Sequence, residues 1–270
     1  MTTSSTEPYA RTELDERYRV RSVDRAFEVL DVLAEADTGL GVSAIARKVN
    51  ASKSAMFAVL QTLEARNLIA STGDLTSRIY TLGLGLARLG DRALRQVSLR
   101  DVAMPHLSEL AAATMLSTRV SVVDGESAVV IGQVDGPAAV RFNLNMGGRE
   151  RLHCSGMGKA ILANKSEDAV RLDAERFGLG SRTRHTITDP DALLADLAKV
   201  RRRGFSIDDE EDAEGICCIG AALFDHRDQC TGAISVTGLK PMFAPKEVLR
   251  IGSLVARTAV RISRDLGSTR

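Results

Sequence analysis

From Val42 to Tyr80 the chain carries two short amphipathic stretches, a polar break between them, and two strand-like runs around a turn: VSAIARKV, NASK, SAMFAVLQTLEARNLI, ASTGDLTSRIY. Ser43 is placed to cap the first stretch by accepting a bond from a first-turn amide. Ile45, Ala46 and Val49 form one apolar edge of it. Asn50 follows, a residue that tolerates the left-handed backbone a helix end often needs. Ser52 or Ser54 then caps a second helix, on which Met56, Val59, Leu60 and Leu63 recur at helical spacing and face inward. Lys53, Phe57, Gln61 and Arg66 occupy its other face. Leu68-Ile69-Ala70 and Ile79-Tyr80-Thr81 flank Thr72-Gly73-Asp74, the pattern of a short hairpin. Two helices and a hairpin in this order form a winged helix-turn-helix. Such a motif places the start of its second helix at base edges and its cations at phosphates.

Charge supports a local nucleic-acid contact rather than a global one. Residues 42–81 hold Arg47, Lys48, Lys53, Arg66 and Arg78 against Glu64 and Asp74, a local excess of +3, whereas the whole chain carries +1. At 270 residues the chain has room for one large or two modest domains, and a hydrophobic content of 44% supports real cores. No apolar run approaches the roughly 20 residues that span a bilayer. The N-terminus is polar and lacks the apolar core of a signal peptide, so the expected location is the cytoplasm. The four cysteines, Cys154, Cys217, Cys218 and Cys230, show no C-x-x-C spacing, and free buried thiols are expected.

Residues 1–19 are polar and of mixed charge and read as a disordered arm. Arg17, Arg19 and Arg21 alternate before the first helix; they suit either a minor-groove contact or a solvated tail. Ser22 opens a helix to about Ala36, with Val23, Ala26, Phe27, Leu30 and Leu33 as its expected buried stripe. A connector helix is expected from Leu82 to about Val97, with leucines that can also pair with a second copy of the chain. Beyond Leu99 the pattern changes. A helix over Asp101–Met115 precedes strands at Thr118–Val123, Ala128–Val134 and Ala138–Asn145. Helices follow at Ser155–Ala163, Glu167–Phe177 and Pro190–Arg203. Strands return at Phe205–Asp208, Ile216–Phe224 and Thr231–Thr237, and a last helix runs from Pro245 to about Leu266. This order predicts an α+β sandwich with a mostly antiparallel sheet.

These motifs together resemble the IclR family of bacterial transcription regulators over about Val20 to Leu266. The resemblance rests on RSVDRAFEVLDVL, on SAIARKVNASKSAMFAVLQTLEARNLI, on LHCSGMGKAILA, and on RRRGFSIDDEEDAEGICCIGAALFD followed by GAISVTG. It implies a winged helix-turn-helix over 20–82, a linker helix over 83–98 and a GAF-like effector-binding domain over 99–267. It also implies dimers or dimer pairs on near-palindromic operators, with no cofactor. The implied DNA-contacting set is Arg19, Arg21, Ser43, Ser52, Lys53, Ser54, Phe57, Gln61 and Arg78. Many relatives carry Arg where this chain has Ala58, so a phosphate contact is missing there. Phe57 suits either a thymine methyl or packing against the wing.

The resemblance further implies that a small carboxylate or related effector is held by the amides of Gly156 and Met157 and by Asp208, Cys218, Ser235 and Thr237, under a lid of Met146, Leu144 and Leu152. The residues themselves lean the same way. Ser155-Gly156-Met157-Gly158 precedes a helix, where free amides converge and glycines allow close approach. Ser235 and Thr237 lie two apart on a strand and share a face, with Ile234 and Val236 on the other. Their hydroxyls need partners: a ligand oxygen, a water or a backbone carbonyl. Enzyme signatures are weak. GMGKA lacks the glycine and Ser/Thr of a phosphate loop, and no G-x-S-x-G elbow occurs. The acidic run Asp208–Asp212 reads as a solvated loop, and the four histidines lack metal-ligand spacing. Two classes remain at this point: a ligand-responsive transcription regulator, expected to be a repressor, and a GAF-type binding or catalytic module whose N-terminal domain contacts other proteins.

Overall fold

The computed structural model describes residues 20–74, 77–136 and 146–270. The chain divides into two compact units, Met1–Gln96 and Val97–Arg270. Arg19, Leu144 and the strand expected at 138–145 lie outside the described residues.

In the first unit, α1 (Arg21–Ala34) is followed by β1 (Leu40–Gly41), α2 (Val42–Lys48), α3 (Lys53–Ala65), β2 (Ile69–Thr72), β3 (Ile79–Leu82) and α4 (Leu84–Gln96). The three strands form one antiparallel sheet with β3 in the middle. Both short helices end alike. Asn50 and Asn67 take left-handed φ values of 49° and 58°. The amide after each, Ala51 N and Leu68 N, reaches back to Ala46 O and Leu63 O at 2.9 Å. This closure satisfies carbonyls that a helix end leaves open, and asparagine supplies the conformation usually given to glycine. Val29, Ile45, Met56 and Leu60 form the centre of the core, each at 0% exposure.

The stripe expected on α1 is rotated. Val23 and Phe27 are 51% and 62% exposed, and the buried residues are Val29 and Leu33, flanked by Ala26 and Leu30. Both stripes satisfy helical spacing. At about 100° per residue, however, Phe27 sits roughly 110° from the centre of the set 26/29/30/33. Ser43 is also corrected. Pairing of Leu40–Gly41 with β3 sets the helix start two residues earlier, so Gly41 is the cap residue and makes no side-chain bond. Ser43 is exposed one residue inside α2.

The second unit begins with α5 (Leu99–Thr114) and builds a six-stranded antiparallel sheet from β4 (Ser117–Asp124), β5 (Ser127–Val134), β6 (Arg149–Arg151), β7 (Ser206–Asp209), β8 (Ile216–Phe224) and β9 (Cys230–Leu239). The strand order is β6-β5-β4-β9-β8-β7. Between β6 and β7 lie α6 (Gly156–Leu162), α7 (Glu167–Phe177) and α8 (Pro190–Arg203), and α9 (Pro245–Asp265) closes the chain. Strand alternation separates two cores. Val120, Ile219, Leu223, Ile234 and Val236 face α5 and α9. Ala233 faces the other way, toward a second core built from α6, α7 and α8. No helix among the described residues is long and apolar enough to cross a membrane.

Candidate functional site

On α3 the cap is Ser52, whose Oγ accepts from Ala55 N at 3.3 Å and lies 3.2 Å from Ser54 Oγ. This fixes the helix start and leaves Lys53 exposed in the first turn, with no ion-pair partner among the described residues. Phe57 is 54% exposed one turn on, beside exposed Gln61. An apolar ring left in water on an otherwise polar helix face is available to a partner rather than consumed by the wing. Arg21 is exposed at the first residue of α1.

Arg78 differs. Its Nη2 donates to both carboxylate oxygens of Glu64 at 3.1 and 3.2 Å, and its Nε donates to Ser71 Oγ at 2.8 Å. Ser71 Oγ in turn donates to Glu64 Oε1 at 2.6 Å. The wing arginine is thus spent on bracing β2 and β3 against α3; because its partner is Glu64 the pair is neutral, and the local excess of +3 rests on Arg47, Lys48, Lys53 and Arg66 against Asp74.

In the second unit, register builds a polar grid on the sheet face toward α6. One row runs Ser206, Gly220, Ser235, Arg119 across β7, β8, β9 and β4; the next runs Asp208, Cys218, Thr237, Ser117. All but the glycine carry a polar or sulfur side chain, and every member of the grid is buried. The start of α6 rests on this grid. A Cβ at Gly220 would lie 2.4 Å from Gly156 O, and one at Gly156 would lie 3.0 Å from Cys218 Cβ. Ser206 Oγ donates to Gly156 O. Ser155 caps the helix, accepting from Gly158 N at 3.0 Å. The glycines of SGMG therefore admit neighbouring backbone and Cys218: a Cβ at Gly158 would lie 2.4 Å from Leu152 Cα.

Burial governs the chemistry of the grid. It pushes the Asp208 carboxyl up to about 7; the amides of Glu211 and Asp212, which donate to Oδ1 at 2.8 and 3.2 Å, offset part of that rise. Burial likewise holds the Cys218 thiol well above its ordinary value and pushes Cys154 and Cys217 up to about 12. These are protonated, unreactive thiols, and Cys217 and Cys218 point to opposite faces of β8 as alternation requires. Among the described residues no cluster of His, Cys, Asp or Glu could hold a metal ion.

A family profile described as "Bacterial transcriptional regulator IclR C-terminal" matches residues 91–264, and one described as "IclR helix-turn-helix domain" matches residues 22–73. The chain belongs to the IclR family of bacterial transcriptional regulators. The transcriptional repressor IclR of Escherichia coli is 29% identical over 254 residues, covering 93% of this chain and 92% of that protein. The regulator BhcR of Paracoccus denitrificans is 32% identical over 219 residues, covering 81% and 77%. The crystal structure of IclR from Thermotoga maritima superposes with a TM-score of 0.61 at 29% identity, covering 93% of this chain and 100% of that one. An IclR-type regulator with a helix-turn-helix for DNA and a C-terminal effector-binding domain is thereby established, and the α+β fold with its antiparallel sheet agrees.

Within this IclR-type framework the fold brings Gly156, Met157, Asp208, Cys218, Ser235 and Thr237 to one region, the junction of α6 with β7, β8 and β9. It does not gather the expected lid. Met146 is 58% exposed, and Leu152 packs into the core of α6, α7 and α8 instead. The acidic run is not simply solvated: Asp208 and Glu211 are buried, and Glu211 pairs with Lys159, which also donates to Asp196 Oδ2 at 2.9 Å. Arg119 was missed by the sequence reading. Buried at 3%, it pairs with Glu150 through Nη1, and its Nη2 donates to Thr237 Oγ1 at 2.7 Å. The signal was present in STRVSVVD, where Ser117, Arg119 and Ser121 alternate with Thr118, Val120 and Val122.

Proposed function

We propose that this regulator is a cytoplasmic repressor acting as a dimer or a dimer of dimers on a near-palindromic operator, and that a small organic acid or related effector binds at the polar grid. The domains follow the division set out from the sequence: an arm over 1–19, the DNA-binding domain over 20–82, a linker over 83–98 and the effector domain over 99–267. The observation that carries the DNA reading is the face of α3. Its start is capped by Ser52, and Lys53, Phe57 and Gln61 are all left to solvent. Two such helices in a dimer enter successive major grooves about 34 Å apart. Ser52 and Ser54 contribute hydroxyls at the helix start, and Lys53 contributes a phosphate contact. Arg19, Arg21 and Ser43 supply further DNA contacts, whereas Arg78 acts through Glu64 rather than on DNA.

The effector reading is supported by buried polar side chains that one ligand can satisfy together: Asp208, Cys218, Ser235 and Thr237, next to the first turn of α6. Met157 and Gly156 contribute through their backbone. The test is an electrophoretic shift of the purified protein on its own upstream intergenic DNA, with and without a panel of carboxylic acids. A sharp, salt-sensitive shift altered by one acid is expected. Lys53→Gln should weaken binding on every sequence and lower the slope of log K against log salt by about one unit. An unchanged slope removes Lys53 from the phosphate contacts, and no shift on any nearby DNA removes the repressor reading.

A further inference from the structure

Two side-chain atoms of the polar grid are buried without a hydrogen-bond partner among the described residues: Arg119 Nε and Ser235 Oγ. Their residues are directly opposed on β4 and β9, and both are essentially inaccessible, at 3% and 0% exposure. A buried donor and a buried hydroxyl left open side by side call for a shared third group with an oxygen acceptor. The rest of the guanidinium is occupied. Nη2 donates to Thr237 Oγ1 at 2.7 Å and approaches Cys218 Sγ at 3.8 Å, and Nη1 holds the Glu150 carboxylate. Arginine recognises a carboxylate best through two parallel bonds; a carboxylate that uses Nε takes Nη2 as its second donor, in place of Thr237 Oγ1, and shares the single charge of the guanidinium with Glu150 on Nη1.

Charge decides how such a group enters. Arg119 and Glu150 neutralise each other, and the grid already holds further buried carboxyls at its far end, Asp208 on β7 and Glu211 in the loop after it. Adding an anionic ligand with Glu150 in place would set two carboxylates against one buried guanidinium, which like-charge repulsion and desolvation oppose. The two partners differ in mobility. Arg119 lies on the interior strand β4 with its side chain 4% exposed. Glu150 lies on β6, a three-residue edge strand paired only to β5, with its side chain 14% exposed. Glu150 can turn out to water; Arg119 cannot follow it.

We propose that Glu150 is a built-in competitor that occupies Arg119 in the empty protein, and that the effector is a carboxylate carrying a further oxygen for Ser235, which binds by displacing Glu150 from the guanidinium. The inference rests on the effector reading above and names its charge-recognising residue. It also makes the sheet edge a reporter: when the acid enters, the Glu150 side chain leaves and β6 loosens.

The experiment is calorimetric titration of the full-length wild type, E150Q, E150D and R119Q with pyruvate, 4-hydroxybenzoate and adipate, each beside its amide. An acid that binds the wild type should bind E150Q about 10-fold tighter, since a charge-assisted competitor is gone. E150D keeps the charge but falls one methylene short, and should gain less. R119Q should lose the acid, and the amides should not respond to any change at Glu150. Hydrogen exchange on the wild type gives a reading independent of the variants' folding: the amides of Ala128 and Glu150, which pair across β5 and β6, should lose protection when the acid is bound. Equal affinity of wild type, E150Q and E150D for the acids, or an equal gain for the amides, overturns the proposal. An acid that alters operator binding by the wild type without any gain in E150Q overturns it and leaves the effector reading standing. Failure of every acid to bind any of the proteins overturns both.

Discussion

Asp208 carries the clearest residue-level consequence. Burial raises its carboxyl from 3.8 to about 7. Between those values the folded chain keeps a proton that the unfolded chain releases. Stability from this group is therefore greatest in acid, falls as pH rises through that window, and is fully lost above about 7. Asp208→Asn cannot ionise, and its carbonyl can still accept from the amides of Glu211 and Asp212. Thermal denaturation of wild type and variant from pH 4 to 8 should diverge with a slope of at most about 1.4 kcal/mol per pH unit, the variant melting higher at the alkaline end. Parallel curves would mean that the carboxyl is solvated. Gly220 is a second residue with no freedom. A methyl group there would lie 2.4 Å from Gly156 O and 3.0 Å from Met157 N, both backbone atoms. Gly220→Ala should cost about 1–3 kcal/mol by chemical denaturation, the range of overpacking, because α6 has to lift off β8 to make room. A neutral result would show that α6 can shift without penalty.

At the scale of elements, the wing and α3 behave as one braced piece through Glu64, Ser71 and Arg78. Arg78→Gln should therefore leave the salt slope of DNA binding unchanged while Lys53→Gln lowers it. Titrations of operator affinity against salt check this, and an equal drop for both would put Arg78 on a phosphate. Elements with strong terminal chemistry were legible in the sequence to the residue. Glu167–Phe177 begins after the capping Ser166, and Pro190–Arg203 is framed by Asp189 and by Gly204 at φ 79°. Elements without such chemistry were not. β1 is two residues long and β6 is Arg-Glu-Arg, too short and too charged to show alternation, and each exists because a neighbouring strand offers an open edge. The α1 stripe had the right period and the wrong phase, since only packing against α3 and β3 selects between adjacent apolar arcs. The grid was half legible for a related reason. Hydroxyl spacing singled out Ser235 and Thr237, but nothing local says that β4 lies beside β9, and so that Arg119 joins them.

For the whole molecule, the second unit gives its two sheet faces different work. The face toward α5 and α9 is apolar and close-packed, whereas the face toward α6 holds the grid and its ion pairs. Lys159 on α6 links Asp196 on α8 to Glu211, and Glu211's amide donates to Asp208 Oδ1. A ligand at the grid thus bears on α6, α8 and the loop after β7 together, a connected set able to shift as a unit rather than one side chain at a time. Such a shift reaches DNA binding only through a difference in effector affinity between the DNA-competent and incompetent states, a coupling of typically about 1–3 kcal/mol. Linkage then requires reciprocity. Whatever factor the effector imposes on operator affinity, the operator must impose on effector affinity, in the same direction and by the same roughly 5- to 150-fold. Titrating the effector found in the shift assay into free protein and into the protein–operator complex, at one salt concentration, measures both arms. Equal effector affinities in the two titrations, alongside a changed operator affinity, would break the cycle. That result would mean that the acid acts on DNA binding from somewhere other than a single equilibrium linking the two sites.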